Sequence, residues 1–244
     1  MKKLLQKGCL IYLFLITCSS TFDLDEKVNG LSRITTGSST ITDETIKKLL
    51  AKISQMVGTS YDLSYEAVSW DKDELTLNGS IANTTIKDPS SFTTNTAHVN
   101  MSTLEFEVGI SYKTLSILGH YDLYCDNEYI HLTGSDLFSI DIKDLDAKLY
   151  LKLKLNEEKK IRADDLSIDY NMVMKVDIKD LGHNKKVSDT LNELINYLLP
   201  SVITSTKEKV SEQVKAIALP KMQFLFNDMT LEQLILFINS IVDS

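Results

Sequence analysis

Few side chains in this chain could carry acid–base, nucleophilic or metal chemistry. They are four histidines, the carboxylate pair Asp164-Asp165, and one cysteine beyond the first twenty residues. His98, His120, His131 and His183 are scattered, with no metal-ligand spacing between them. His120 and His131 fall on the polar parity of their strands, which predicts solvated side chains rather than catalytic or metal-binding ones. Asp164-Asp165 borders the charged turn Asn156–Lys160, so a solvated edge is expected there instead of a general acid/base pair. Cys125 lies on apolar parity and is expected as a buried small hydrophobe, not a reactive thiol. A Gly-x-Ser-x-Gly elbow, a phosphate-binding glycine loop and a His-Glu-x-x-His motif are all missing. The reading is no enzyme, no catalytic residue, no metal and no cofactor.

One kind of covalent chemistry is signalled. Asn78-Gly79-Ser80, Asn83-Thr84-Thr85 and Asn100-Met101-Ser102 are N-glycosylation sequons. Asn78 and Asn100 sit opposite the apolar parity and should be exposed.

The elements that position these residues are written in long two-residue alternation. Leu104, Phe106, Val108, Ile110 and Tyr112 recur on even positions; Leu115, Ile117, Tyr121, Leu123 and Cys125 recur on odd ones. Leu145 to Leu155 and Leu166 to Ile178 repeat the pattern. Such strands predict a broad antiparallel sheet with one apolar face that must cover something apolar. Between Phe138 and Leu155 the apolar parity switches from even to odd, which predicts a bulge near Lys143-Asp144. Strands are also expected over Tyr61–Trp70 and Leu75–Ile86, where Asn78-Gly79 fits either a hairpin turn or one long strand.

Three helices are expected. The first follows Thr42 as N-cap and stops at Gly58. A long one runs from about Val187 to Ala218, carries the stripe Leu191, Leu194, Ile195, Leu198 and Val202, contains Pro200 as a kink, and ends at Pro220. The last begins at Thr230, where Thr230-Leu231-Glu232-Gln233 fits a capping box, and runs to Val242.

Residues 1–20 read as a secretory signal peptide: Lys2, Lys3 and Lys7, then the short apolar core Leu10–Ile16, then Ser19-Ser20. Removing them takes away three lysines and no acid, leaving 23 basic against 34 acidic residues and a net charge of −11. That balance argues against nucleic acid and anionic membrane surfaces as partners, and no transmembrane segment is expected. Residues 21–41 look like a polar lead-in, and residues 42–244 like one domain. Cys125 alone offers no disulfide framework, so the core must hold the fold.

With these elements placed, the chain resembles the group 7 mite-allergen-like and takeout/juvenile-hormone-binding proteins of arthropods. These belong to a tubular lipid-binding superfamily that includes bactericidal/permeability-increasing proteins. The likeness covers roughly Thr42 to Ala218. Its local pieces are Leu104–Ile110, Gly119-His120-Tyr121-Asp122-Leu123, Leu149–Leu155, and Asp180-Leu181-Gly182 leading to Leu191-Asn192 and Asn196. Takeout-like proteins carry an N-terminal cysteine pair that this chain lacks beyond its leader, which favours the group 7 side. The resemblance implies an α+β module: a long curved antiparallel sheet wrapped round a long C-terminal helix, with an apolar cavity between them.

The candidate cavity lining follows from the stripes: Phe106, Val108, Ile110, Leu149, Leu151, Leu153, Ile168, Tyr170, Met172, Met174, Leu191, Leu194, Ile195, Leu198 and Val202. Met222 and Met229 would suit an adaptable lining. The expected function is a secreted, extracellular carrier or sink for a fatty acid, terpenoid or other lipid. A second expectation is an interaction protein with a filled core, binding a microbial surface lipid or a protein, with a homodimer through Leu231, Leu234, Ile235 and Ile238. A third is a bacterial envelope lipoprotein acylated at Cys18, after Leu15-Ile16-Thr17.

Overall fold

The computed structural model describes residues 40–63, 65–72, 75–126, 131–226 and 229–243. The expected leader, with Cys18, and residues 21–39 of the lead-in lie outside them. In chain order the elements are α1 (Asp43–Val57), β1 (Ser60–Leu63), β2 (Glu66–Lys72), β3 (Leu75–Lys87), β4 (Thr93–Asn100), β5 (Glu105–Asp126), β6 (His131–Leu155) and β7 (Ile161–Ile178). A one-turn 3-10 helix (Leu181–His183), α2 (Lys185–Phe226) and α3 (Leu231–Val242) complete them.

Among the described residues the strands form one antiparallel sheet in the order β1-β3-β5-β6-β7. β2 pairs with β3 beside β1, and β4 pairs with β5 beside β3. The stretch expected as one strand over Tyr61–Trp70 is therefore two, both on the same edge of β3. Asn78-Gly79 lies inside the single long strand β3, not in a turn. β5 and β6 hold 22 and 25 residues, so each extends roughly 70–85 Å. At that length the right-handed twist accumulates and the sheet curves.

The parity switch falls where the sequence puts it. Pairing of β5 with β6 passes from Tyr112–Leu145 to Thr114–Lys143, skipping Lys113 and Asp144, and the apolar parity of both strands changes there. Against β7 the register of β6 slips by one between Lys143 and Asp146, with Asp144 at φ 49°. One extra residue thus keeps both halves of β6 facing the same core across the bend.

α1 and α3 are closed by reciprocal caps. The Thr45 amide donates to Thr42 Oγ1 at 3.2 Å, and the Gln233 amide donates to Thr230 Oγ1 at 3.3 Å. Leu49 and Leu50 of α1 and the buried Leu234, Ile235 and Ile238 of α3 pack on Phe106, Leu153 and Ile161 at one end of the sheet. Ile41, placed by the sequence in the lead-in, is buried in the same cluster. The face of α3 offered for a homodimer is therefore covered within the chain; only Leu231 of the four stays half-buried.

α2 begins before Val187, because Asn184 Oδ1 accepts the Lys186 and Val187 amides at 2.9 and 3.3 Å. It also passes through Pro220 and ends at Phe226. Pro220 forfeits one helical hydrogen bond, but Met222 and Phe226 beyond it pack on the α1–α3 cluster, and that burial extends the helix.

Candidate functional site

α2 is fastened along the free edge of β7 by side chains. Asn192 Oδ1 accepts the Ile178 amide at 3.0 Å and its Nδ2 donates to the Ile178 carbonyl at 2.9 Å. Asn196 does the same at Val176. Ser188 Oγ donates to the Ile178 carbonyl at 2.7 Å, and Ser211 Oγ accepts the Ile168 amide at 3.1 Å. The spacing explains the fit: one helical turn of four residues rises about 6 Å, close to the ~6.6 Å between alternate strand residues. The resemblance drew attention to the spaced asparagines; their role as substitutes for a missing strand became visible only in the fold.

This attachment turns α2 across the apolar face of the sheet. Leu199, Ile203, Val210 and Val214 are buried against Leu166 and Tyr170 of β7. Leu191 packs on another cluster, which holds Ile110, Ile117 and Ile142. Leu145, Ala147, Met172 and Met174 touch both clusters and are only half-buried. On the neighbouring flank of α2, Val187 is 39 % exposed, Leu194 50 % and Leu198 37 %. Leu191, Ile195 and Val202 on that flank are half-buried. The result is an apolar strip, walled by α2 and floored by β6 and β7, that protein atoms do not fully cover.

The fifteen candidate lining residues divide accordingly. Phe106 and Leu153 are packed in the α1–α3 end, Ile110 in the β5–β6 cluster, and Tyr170 beneath α2; these four are dry core. Val108, Leu149, Leu151, Ile168, Met172, Met174, Leu191, Ile195 and Val202 are half-buried, and Leu194 and Leu198 are exposed. Sequence reasoning missed Val187, Leu145, Ala147 and Val176. All four share the parity or helical spacing of neighbours it named, which was the signal available.

The opposite face of the sheet is charged. Lys148 and Lys152 on β6 pair with Glu107 and Glu105 on β5 at 3.7 and 2.9 Å, and Lys154 pairs with Asp164 at 2.5 Å. The Lys152 ammonium, by hydrogen bond, holds the Glu105 carboxyl below its ordinary range. Lys215 does the same for Asp165. Asp164 and Asp165 thus serve two separate ion pairs and share no proton. A depression of about 420 Å³ on this face is lined partly by His98, Asn100, Tyr150 and Lys152. Its lining includes the Lys152–Glu105 ion pair, beside Phe106 and Leu151.

The remaining reactive groups occupy structural posts. Burial pushes the Cys125 thiol up, away from the nucleophilic thiolate. Burial also raises the Tyr121 phenol to about 12, and the phenol donates to the Lys179 carbonyl. His98 and His183 are exposed, beside Asp43 at 3.5 Å and Asp180 at 3.0 Å. Among the described residues no group of three or more His, Cys, Asp or Glu could hold a metal ion. No helix there is long and apolar enough to cross a membrane. Asn78, Asn83 and Asn100 all have exposed side chains.

A curved antiparallel sheet with a helix stapled across its apolar face, and an uncovered apolar strip between them, defines a binding module of the tubular sheet-and-helix type. The family model described as haemolymph juvenile hormone binding protein matches residues 63–236, and the chain belongs to that family. Among solved structures, Takeout 1 of Epiphyas postvittana is similar at 14% identity and a TM-score of 0.48, over 69% of this chain and 80% of that one. A lipopolysaccharide binding protein is similar at 14% identity and a TM-score of 0.38, over 75% of this chain and 40% of that one. No curated protein matches the chain.

Proposed function

We propose that this chain is a secreted protein that carries or sequesters a hydrophobic molecule on the strip between α2 and the sheet. Fatty acids, terpenoids and other lipids are the candidate cargo. The single observation behind this is the pairing of two incompletely covered apolar rows, Leu191–Leu194–Leu198 on α2 and Leu145–Ala147 with Met172–Met174 on the sheet. The family, whose name describes proteins that bind juvenile hormone in haemolymph, supports it. Leader-like residues 1–20 and the exposed sequons support secretion with glycosylation.

Energetics favour such cargo without specific polar contacts. Burying an acyl chain recovers about 0.8 kcal/mol per CH₂, so a long chain gains on the order of 10 kcal/mol before association costs of several kcal/mol. Methionine at Met172 and Met174 lets the floor adapt to ligands of different outline.

The test is lipid mass spectrometry on organic extracts of the natively purified secreted protein, beside a mock purification. A stoichiometric, enriched lipid is the expected result. A clean extract, together with failure to take up added fatty acids and terpenoids, would reject the carrier reading.

A further inference from the structure

One sequon stands in the wall of the depression on the charged face of the sheet. Asn100 closes β4 and lines that depression together with Glu105, Glu107, Tyr150 and Lys152. The register places them: Asn100 pairs with Glu105, Glu105 with Lys152, and Glu107 with Tyr150. Lys152 therefore lies about 10 Å from Asn100, two strand spacings across the sheet, and Tyr150 is its neighbour on the same face of β6. Asn100 Oδ1 accepts the Ser102 and Thr103 amides at 3.0 and 3.2 Å, which fixes the side chain. Its Nδ2, the atom to which a glycan attaches, donates no hydrogen bond among the described residues.

The depression specifies the chemistry of an occupant. Each carboxylate there has its own lysine: Glu105 has Lys152 at 2.9 Å, Glu107 has Lys148 at 3.7 Å, and Asp165 has Lys215. An ionic ligand would have to displace one of these partners. A neutral polyhydroxylated molecule can hydrogen-bond to the pairs as they stand. Tyr150 stands among them with 41 % of its surface exposed, a flat apolar patch that fits the C–H face of a sugar ring.

We propose that this depression is the seat for the inner acetamido sugars of a glycan on Asn100. A ring stacks on Tyr150, its hydroxyl groups bond to Lys152 and Glu105, and the rest of the glycan extends into solvent. This rests on the reading of secretion with glycosylation and adds to it a surface of the folded chain that holds the glycan. The seat lies on the face away from α2, so it leaves the ligand strip free.

The test uses the full chain secreted from a eukaryotic cell line, unaltered and as Tyr150→Thr, Ser102→Ala and the double variant. Ser102→Ala removes the sequon but keeps Asn100 and the two amides it accepts. Peptide mass spectrometry first scores occupancy at each sequon. Under native conditions, peptide N-glycosidase should release the Asn100 glycan about fivefold more slowly from the unaltered protein than from Tyr150→Thr, the factor that one ring contact carries. The unaltered glycoprotein should melt about 2–4 °C above Ser102→Ala. That gap should close when Tyr150 is Thr in both members of the pair. Equal release rates overturn the seat, and so does a melting gap that survives without the tyrosine. Equal melting of the unaltered protein and Ser102→Ala overturns it too, a comparison that changes only an exposed residue outside the strands. An empty Asn100 beside an occupied Asn78 or Asn83 also overturns it. Secreted protein with no glycan at any of the three fails the glycosylation reading itself, and the seat falls with it.

Discussion

Asn196 grips Val176 at both ends of one residue: Oδ1 accepts its amide at 2.8 Å and Nδ2 donates to its carbonyl at 2.7 Å. Both groups of Val176 point to the same side of β7, so one side-chain amide satisfies them as a neighbouring strand would. Replacing Asn196 with Ala strips two part-buried backbone groups of their partners. A loss of about 1–3 kcal/mol is expected, read as a lower denaturation midpoint with an unchanged slope. Faster hydrogen exchange at the Val176 amide should accompany it. Unchanged exchange there would show that water replaces the clamp at no cost.

Leu194 and Leu198 are 50 % and 37 % exposed, so the fold gains little from them. The double change to Ser should leave stability within about 0.5 kcal/mol, as for other surface substitutions. Ligand affinity should nevertheless drop tenfold or more, because covering each leucine is worth about 1.5–3 kcal/mol when complete. Titration of a fluorescent fatty acid measures it. Equal affinity in the double variant would move the site off this flank of α2.

Deleting residues 230–244 separates a structural α3 from a removable docking arm. Leu234, Ile235 and Ile238 are buried against Phe106, Leu153 and Ile161, so the deletion should unfold or aggregate the chain. The milder Leu234→Ala should cost about 2–5 kcal/mol. A truncated chain that melts like the full one, changed only in oligomeric mass, would restore the docking role.

Tyr121 should mark the alkaline limit of stability. Its folded pKa of about 12 lies above the ordinary value of 10.0. The neutral phenol is therefore favoured by folding, and its contribution is fully present below pH 10 and lost as pH rises toward 12. In Tyr121→Phe the stability curve should be flatter over that window. Gly134 touches the same post, since a Cβ there would lie 2.5 Å from the Tyr121 hydroxyl. Gly134→Ala should cost about 1–3 kcal/mol by overpacking. An alkaline limb that is identical with and without the Tyr121 hydroxyl would assign it to other groups.

The three sequons differ in what folding does with the side chain. Asn83 sits at a bulge with φ 48°, Asn78 accepts from Ser69 at 2.9 Å, and Asn100 accepts the Ser102 and Thr103 amides. All three are exposed, and glycans at any of them would project from the sheet without touching the strip. Enzymatic glycan release in heavy-oxygen water, followed by peptide mass spectrometry, should report occupancy at one or more. Secreted protein lacking glycan at all three would end that expectation.

Much of this architecture was legible because alternation reports which face of a strand is buried. The even-to-odd switch before Leu145 located the bulge, and Thr42 and Thr230 located two helix starts. What alternation cannot report is the thing that covers the face. Phe106 and Met172 read alike in sequence, yet one is sealed by α1 and α3 and the other is half open beside α2. The continuation of α2 through Pro220 was hidden for a related reason: local chemistry argues for a stop, and the packing of Phe226 overrules it. The apolar face of α3 announced burial without saying that the partner belonged to the same chain.

The side-chain clamp on β7 also bears on how the protein behaves when crowded. A sheet this long would normally end in a row of unsatisfied amides and carbonyls, a template on which other chains could add as strands. Asn192, Asn196 and Ser211 break that row at Ile178, Val176 and Ile168, and Met229 takes the Ile161 amide at its beginning. The same contacts that hold the helix over the strip thus deny β7 to intermolecular sheet growth. With part of its apolar face left uncovered beside α2, the chain keeps this route to aggregation shut.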